Sequence, residues 1–453
     1  MSAPAPIPLR PGRSLPGLVA GLALWPFLEQ VLSFLVGFVD TALAGRLSVE
    51  ATNAVGAGAY VLWLIGMLHG AIGVGAAALV ARHTGAGRRG DAVSAMAQAL
   101  LLALVAGVGV GGLLWLSAPS LAWMTGLRGE SADLCVIYLR VLALSGPFHA
   151  VLFVAAACLR AAGEMRQPFR VMVVVNLINA AASILFVAGP EPIGGHGITG
   201  LAVGTLLAWA AGAVWIVRIL IRWIGWTPGQ TAGLRPKRDL MRRIARIGLP
   251  NLGESIGLWA GNFAVLVMVG HLADRAAVGA HIVAIRIEAL SFLPGVALGT
   301  AAATLAGQFL GAGDPVNARR AVWICFGYGA VFMGVMGAGF ILLPELLVRL
   351  ISNQQPILEA APPLLFIVGW VQVGFAASLI FSGALRGVGD TRACMAITFG
   401  STYLLRVPLV WWIAVHLGHG LNGVWIALSV ELMARGLFFL LRFLHGGWTR
   451  VIV

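Results

Sequence analysis

Long apolar segments recur along almost the whole chain, separated by short polar connections. A helix that crosses a bilayer needs about 20 mostly apolar residues. Six such segments lie in the first half, at approximately 17–43, 52–81, 92–118, 132–159, 168–189 and 197–224. Six more follow, at approximately 242–270, 276–310, 319–348, 360–386, 393–417 and 420–444. The pattern predicts an all-α integral membrane protein with twelve transmembrane helices, the first of which is not a signal peptide because no cleavage site follows a short hydrophobic core.

The composition excludes an ordinary soluble enzyme. Hydrophobic residues make up 59% of the chain and charged residues only 10%, against roughly 45–50% and 25% in soluble proteins. Sixty glycines lie largely inside the apolar segments, where small residues let helices approach closely. The four cysteines form no CxxC motif, and we interpret them as small buried hydrophobes.

Basic residues define the predicted orientation. The formal net charge is +13, and Lys237 is the single lysine among 30 basic residues. If both termini are cytoplasmic, 22 basic residues lie on the inner side and 4 on the outer side, as the positive-inside rule requires. The charge is therefore interpreted as membrane orientation, with no nucleic-acid partner.

The two halves of the chain are related in sequence. Three pairs of segments match in order, namely 85–87 with 311–313, 159–166 with 385–392, and 195–200 with 418–423. In the first two pairs the second segment follows the first at the same distance along the chain, which is the distance from position 85 to position 311. In the third pair this distance is almost the same. We therefore predict an N-lobe at 1–224, a cytoplasmic linker at 225–241 and a C-lobe at 242–453. Two pseudo-symmetric six-helix lobes of equal orientation are parallel repeats and indicate a transporter with alternating access.

Several stretches resemble the multidrug and toxic compound extrusion (MATE) family, most of all its prokaryotic DinF-type branch. They are FVDTALAGRL, LRAAGEMRQP, GHGITGLAVGT, GLPNLGES, IEALSFLPG through GQFLGAGD, and GALRGVGDTR. The resemblance implies a secondary antiporter that exports cationic amphipathic organic compounds in exchange for H⁺ or, as the less favoured ion, Na⁺. It implies no cofactor and no enzymatic activity, and we expect a monomer in the bacterial inner membrane. No GxxxxGK[ST] loop is present for ATP hydrolysis.

Acidic residues within membrane segments are functional candidates by default, and this chain has five of them. They are Glu29, Asp40, Glu254, Glu288 and Glu431. In the first helix, positions 29, 33, 37 and 40 share one face, and in the fifth helix Asn176, Asn179 and Ser183 form a second polar stripe.

The resemblance implies a cation site in the N-lobe at Asp40, Asn179, Ser183 and Thr205. The sequence departs from the family pattern because Ser183 stands where a second carboxylate is expected. A sodium ion at Asp40, Asn179 and Thr205 therefore has one carboxylate instead of two. Burial favours the protonated form of a single aspartate, and a nearby cation favours the charged form. Such an aspartate can therefore exchange a proton for a cation. We therefore favour coupling to H⁺.

The other acidic residues leave alternatives open. Glu254 either joins Asn251 and Asn262 in a second cation site or satisfies backbone groups freed by Pro250. Glu288 is expected to have a structural partner elsewhere in the chain. Glu431 and Arg435 are four residues apart and are expected to neutralise each other.

Other functions remain as hypotheses. A flippase for a lipid-linked saccharide needs a cationic cavity, for which four arginines within membrane segments are available: Arg140, Arg286, Arg406 and Arg435. A membrane-embedded enzyme is not favoured because HExxH and GxSxG are absent, and a channel is not favoured by a two-lobe repeat. His69 and His149 could shuttle protons or hold structural hydrogen bonds.

Overall fold

The computed structural model describes residues 14–190, 192–224, 235–272 and 277–451, except for the side chains of 33–42 and 224. This part of the chain is helical and contains no strand. Ten of its helices are long and apolar enough to cross a membrane, and the number rises to twelve if each of two bent helix pairs is one span. Large apolar side chains such as Leu116 and Leu404 are exposed by 79% and 76%, as expected where lipid is the solvent. The predicted all-α membrane fold is confirmed.

The chain forms two compact units that divide inside helices. The first consists of the described residues of 28–248, and the second of those of 14–27 and 249–451. Helix α1 is therefore divided after Phe27 and helix α8 after Gly248, each within two residues of a proline inside the helix, Pro26 or Pro250.

The first unit contains most of α1 and six complete helices. The bounds are α1 Leu15–Leu47, α2 Val49–Gly85, α3 Arg89–Met124, α4 Glu130–Leu144, α5 Gly146–Ala161, α6 Arg166–Ala188 and α7 Gly197–Ile224. Helices α6 and α7 form the most extensive pairing in this unit. The predicted fourth span is the bent pair α4 and α5, which meet at 55° beside Ser145. Its break follows from Pro147 in the first turn of α5.

The second unit repeats this plan with more interruptions. The bounds are α8 Arg238–Gly270, α9 Ala277–Gly311, α10 Pro315–Leu342, α11 Pro344–Arg349, α12 Gln355–Ala360, α13 Pro362–Gly369, α14 Gln372–Gly387, α15 Thr391–Gly400, α16 Val407–Val410 and α17 Gly420–His445. The predicted tenth span is again bent, by 60°, between α13 and α14. The eleventh contains two π-helical segments, Ser401–Arg406 and Trp411–His416.

Equivalent glycines hold equivalent helices close together in the two units. A Cβ atom at Gly111 of α3 would lie 2.5 Å from the carbonyl oxygen of Ala143, and one at Gly337 of α10 would lie 2.5 Å from that of Gly369. Gly337 corresponds to Gly111, and Gly369 to Ala143, at the sequence offset that relates position 85 to position 311. The internal repeat is therefore also a repeat of backbone packing.

An ion pair also recurs in both units. Arg160 donates from Nη1 to Glu29 Oε1 at 2.9 Å in the first unit. Arg386, which is the repeat equivalent of Arg160, donates from Nη2 to Glu254 Oε1 at 2.6 Å in the second. In each pair the arginine lies at the end of a bent span. Its partner lies three positions after Pro26 in the first unit and four positions after Pro250 in the second. The repeat has therefore kept both partners of this contact.

The glycine contact predicts a contrast between neighbouring positions of α3. Gly111→Ala places a methyl group against a backbone carbonyl that cannot move away alone, and we expect a loss of about 1–3 kcal/mol in unfolding free energy. Gly112 has no atom within 4 Å of its Cβ position, so Gly112→Ala is the matched control and should leave stability unchanged or slightly raised. Thermal unfolding in detergent, followed by circular dichroism, measures both. Equal midpoints for the two variants would show that the helices separate freely at this point.

The ion pair predicts a rescue by a double substitution. Arg386→Met leaves the carboxylate of Glu254, which is only 3% exposed, without its guanidinium, and we expect a loss of about 3–5 kcal/mol. Adding Glu254→Gln removes the uncompensated charge and should recover most of this loss. The same unfolding measurement on both single variants and the double variant tests the coupling. Additive effects of the two substitutions would contradict it.

Candidate functional site

The candidate site of the first unit lies where α6 and α7 pack most closely. A Cβ atom at Gly204 would lie 2.5 Å from Ser183 Oγ and 2.8 Å from its backbone nitrogen. One turn earlier, Gly200 faces the carbonyl oxygen of Phe186 at 2.8 Å from the Cβ position. The two glycines therefore bring the polar stripe of α6 against α7.

This packing brings Asn179 and Thr205 together. Asn179 Nδ2 donates to Thr205 Oγ1 at 3.0 Å, and Thr205 Oγ1 donates to the carbonyl oxygen of Leu201 at 3.2 Å. Asn179 is 3% exposed, Ser183 is fully buried and Thr205 is 5% exposed. The sequence thus identified three polar residues that the structure gathers at one helix interface.

Three polar atoms of this cluster have no hydrogen-bond partner among the described residues. They are Asn179 Oδ1, Ser183 Oγ and Asn176 Nδ2. A buried polar group without a partner costs about 1–3 kcal/mol. Two of the three are oxygens that can accept a hydrogen bond or bind a hard cation. The cluster is therefore neutral and able to bind a ligand.

Asp40 belongs to the same predicted set, but its side chain lies outside the described residues. Its backbone continues α1 without interruption. The participation of Asp40 in the site, like a sodium ion at Asp40, Asn179 and Thr205, therefore stays a prediction.

Glu254 has partners that the sequence analysis did not assign. Its carboxylate accepts two hydrogen bonds from Arg386, at 2.6 and 3.2 Å, and one from Thr398 Oγ1 at 2.8 Å. Asn262, which was considered as its neighbour in a cation site, instead accepts from Arg406. Glu254 is thus part of a buried ion pair whose partners lie far apart in sequence and carry no local signal.

The pairing of Glu431 with Arg435 is confirmed, and Arg406 is added to it. Arg435 Nε lies 3.3 Å from Glu431 Oε1, without hydrogen-bond geometry. Arg406 donates to Glu431 Oε2 from Nη2 at 2.6 Å and from Nε at 3.1 Å. Glu288 is half-buried and interacts electrostatically with both arginines. The network holds the guanidinium groups of Arg406 and Arg435 and the carboxyl groups of Glu431 and Glu288.

The cysteines and two of the arginines within membrane segments have no part in the candidate site. All four cysteines are free and buried, as expected. Arg140 is exposed and lies over the ring of Trp115 at 5.7 Å, and Arg286 is exposed on α9. Within the described ranges, no group of three or more His, Cys, Asp or Glu residues is placed to hold a metal ion.

Comparison with known proteins places the chain in a family. The MatE family model matches residues 27–185 and 250–412. A protein of Thermotoga maritima named "Probable multidrug resistance protein NorM" is 29% identical over 439 residues, which are 95% of this chain and 92% of that protein. A protein of the same name from Pseudomonas aeruginosa is 27% identical over 418 residues, 89% of this chain and 84% of that protein. These matches do not test the assignment to the DinF-type branch.

Solved structures agree with this placement at the level of the fold. A structure described as the outward-facing conformation of a multidrug resistance MATE family transporter of the MOP superfamily has a TM-score of 0.89 at 21% identity and covers 97% of this chain and 98% of that one. A MOP superfamily transporter from Pyrococcus furiosus, described as having a binding pocket of reverse polarity, has a TM-score of 0.88 at 21% identity, with the same coverage. The family model covers well over half of the residues and both repeats. The chain therefore belongs to the MatE family.

Proposed function

We propose that this protein is a secondary active antiporter that exports cationic amphipathic organic compounds and has no enzymatic activity. Family membership and relatives named for multidrug resistance along nearly the whole chain support this function. The multi-pass helical architecture supports it as well. Rocking of the two lobes around a central cavity is the mechanism expected of parallel repeats. We further propose a monomer in a bacterial inner membrane, with both termini cytoplasmic on the basis of the arginine distribution.

The observation that carries the proposal is the set of unpaired oxygens on α6. Asn179 Oδ1 and Ser183 Oγ are buried beside Thr205 and have no partner among the described residues. In a membrane interior such oxygens are costly unless a ligand uses them. A transported ion, or water that accompanies it, is the ligand that a neutral amide and hydroxyl cluster suits.

The proposal for the coupling ion rests on the number of carboxylates in the proposed site. Asp40 is the single acidic residue of the proposed set, because Ser183 replaces the second. Protonation of Asp40 would neutralise the site and release a cationic substrate, and binding of the substrate would expel the proton. Sodium would need the neutral oxygens of Asn179 and Thr205 to make up for a missing negative charge. We therefore propose H⁺, with Na⁺ as the alternative.

The flippase hypothesis has less support. A cationic cavity for a pyrophosphate group would need several uncompensated arginines. Arg406 and Arg435 share the carboxylate of Glu431, and Arg140 and Arg286 are exposed. The described positions of these four residues favour structural roles.

The first test of the proposal is Asp40→Asn. Efflux of a fluorescent cationic dye from proteoliposomes should fall to background in this variant, because the exchangeable proton is lost. In the wild type, efflux should stop when the proton gradient alone is collapsed and persist when the sodium gradient alone is collapsed. Asp133→Asn, at an exposed carboxylate in the first turn of α4, is the matched control and should transport normally.

Two outcomes would contradict this scheme. Normal transport by Asp40→Asn would remove the proposed site, and dependence on the sodium gradient alone would replace H⁺ by Na⁺. Absence of dye efflux from the wild type under any gradient would contradict the proposed function itself.

The second test concerns the hydroxyl of Thr205. Thr205→Val keeps the side-chain shape but leaves Asn179 Nδ2 without its acceptor, so the amide is free to rotate. Loss of one hydrogen bond to a buried group costs about 1–3 kcal/mol, and we expect the apparent affinity for the coupling ion to fall about tenfold or more. Thr205→Ser restores the oxygen and should recover it. The measurement is the dependence of dye efflux on the external ion concentration, and equal curves for Val and Ser would exclude a role for the hydroxyl.

A further inference from the structure

Two histidines of the first unit share a hydrogen bond inside the helix bundle. His69 of α2 and His149 of α5 place their Nδ1 atoms 2.9 Å apart. At this distance one nitrogen carries a proton and the other accepts it, because two lone pairs or two N–H groups would repel. A metal ion bound to both nitrogens at about 2.0–2.1 Å in tetrahedral geometry would hold them roughly 3.3 Å apart. The geometry therefore fits a single shared proton.

The pair lies beside a small cavity at the break between α4 and α5. The cavity has a volume of about 70 Å³ and is lined by His149, Trp209 and the break residues Ser145 and Gly146. Its volume exceeds the roughly 10–15 Å³ that a cavity needs, on this measure, to hold one water molecule. The side chain of His149 is half-buried and forms part of the cavity wall.

The other residue of the pair, His69, does not line the cavity. His69 is fully buried, and its Nε2 atom has no hydrogen-bond partner among the described residues. In either tautomer this nitrogen bears an unused lone pair or an unused hydrogen. A merely structural hydrogen bond would leave this cost of about 1–3 kcal/mol without compensation.

Charged and titratable side chains on the helices around the pair lie far along those helices. They are Glu50, Tyr60, Arg82 and His83 of α2, Arg89 and Asp91 of α3, Glu130, Asp133, Cys135, Tyr138 and Arg140 of α4, Cys158 and Arg160 of α5, and Arg218 and Arg222 of α7. On α2, α5 and α7 each is at least nine residues, or about 13 Å, from His69, His149 or Trp209. Arg140 is directed onto Trp115, and Arg160 onto Glu29. The two imidazoles are therefore each other's nearest titratable group among those described.

We propose that His69 and His149 form a second proton-binding site of the first unit, separate from the cluster at Asn179. A proton that enters through the cavity binds one ring, and the bond between the two Nδ1 atoms spreads the charge over both. Burial opposes a positive charge here. The shared bond offsets part of that cost, and so does the indole of Trp209, whose ring centre is 4.4 Å from that of His149. Binding of the proton does not depend on the proposed transport function, although its use in coupling does.

The test uses the full-length protein in lipid nanodiscs with ¹⁵N-labelled histidine. The imidazole signals of the wild type are followed by NMR from pH 8 down to pH 3.5, because burial opposes protonation of both rings. We expect the signals of His69 and His149 to change together in one step that corresponds to one proton. In His149→Phe, which keeps an aromatic ring against Trp209, the step should be absent from the remaining His69 signal.

A matched control uses the buried histidine of the second unit. His281 accepts a hydrogen bond from Trp425 Nε1 at 3.1 Å, and His281→Phe should leave the step of the pair unchanged. Asp40→Asn should also leave it unchanged, so failure of the antiport scheme and failure of this proposal are distinguishable. Wild-type signals of the pair that stay constant from pH 8 to pH 3.5, or that change in two independent steps, would overturn the proposal.

Discussion

Lipid offers no hydrogen-bond partner to a charged or polar side chain, and this constraint organises the interior of the protein. An unpaired charge at the centre of a membrane segment is expensive, so carboxylates and guanidinium groups lie in pairs. Glu254 binds Arg386, and Glu431 lies between Arg406 and Arg435. The pair of Glu254 and Arg386 joins segments 132 residues apart in the chain, and the pair of Arg406 and Glu431 joins the last two spans.

The neutral cluster on α6 behaves differently from the ion pairs. Asn179 uses its amide hydrogen on Thr205, while its carbonyl oxygen and the hydroxyl of Ser183 have no hydrogen-bond partner in the part of the chain that the structure describes. Close packing at Gly204 excludes lipid from both residues. Under the proposed function, binding of a ligand would offset the free-energy cost of these unpaired atoms.

Hydropathy predicted the helices because lipid exposure imposes a long apolar run on each span, whatever its neighbours. The polar stripe on α6 could be predicted as well, since residues three and four apart share a helix face. The partners of Glu254 and Arg406 could not, because they depend on which helices meet. The breaks beside Ser145 and between α13 and α14 were also missed, although Pro147 was a local signal for the first. The π-helical segments of the eleventh span likewise have no hydropathy signature.

The internal repeat distinguishes residues that pack helices together from polar residues of the proposed sites. At the offset that relates the two halves, Gly111 corresponds to Gly337 and Arg160 to Arg386, and the same contacts occur in both units. At that offset Asn179 corresponds to Leu405 and Ser183 to Leu409, while His69 and His149 correspond to Gly295 and Phe375. Asn176 and Thr205 do correspond to polar residues, Thr402 and Glu431. A residue needed for packing must be present in both halves, since both solve the same packing problem. A residue proposed to bind an ion or a proton is needed only once, so the repeat requires no counterpart of Asn179, Ser183, His69 or His149 in the second unit.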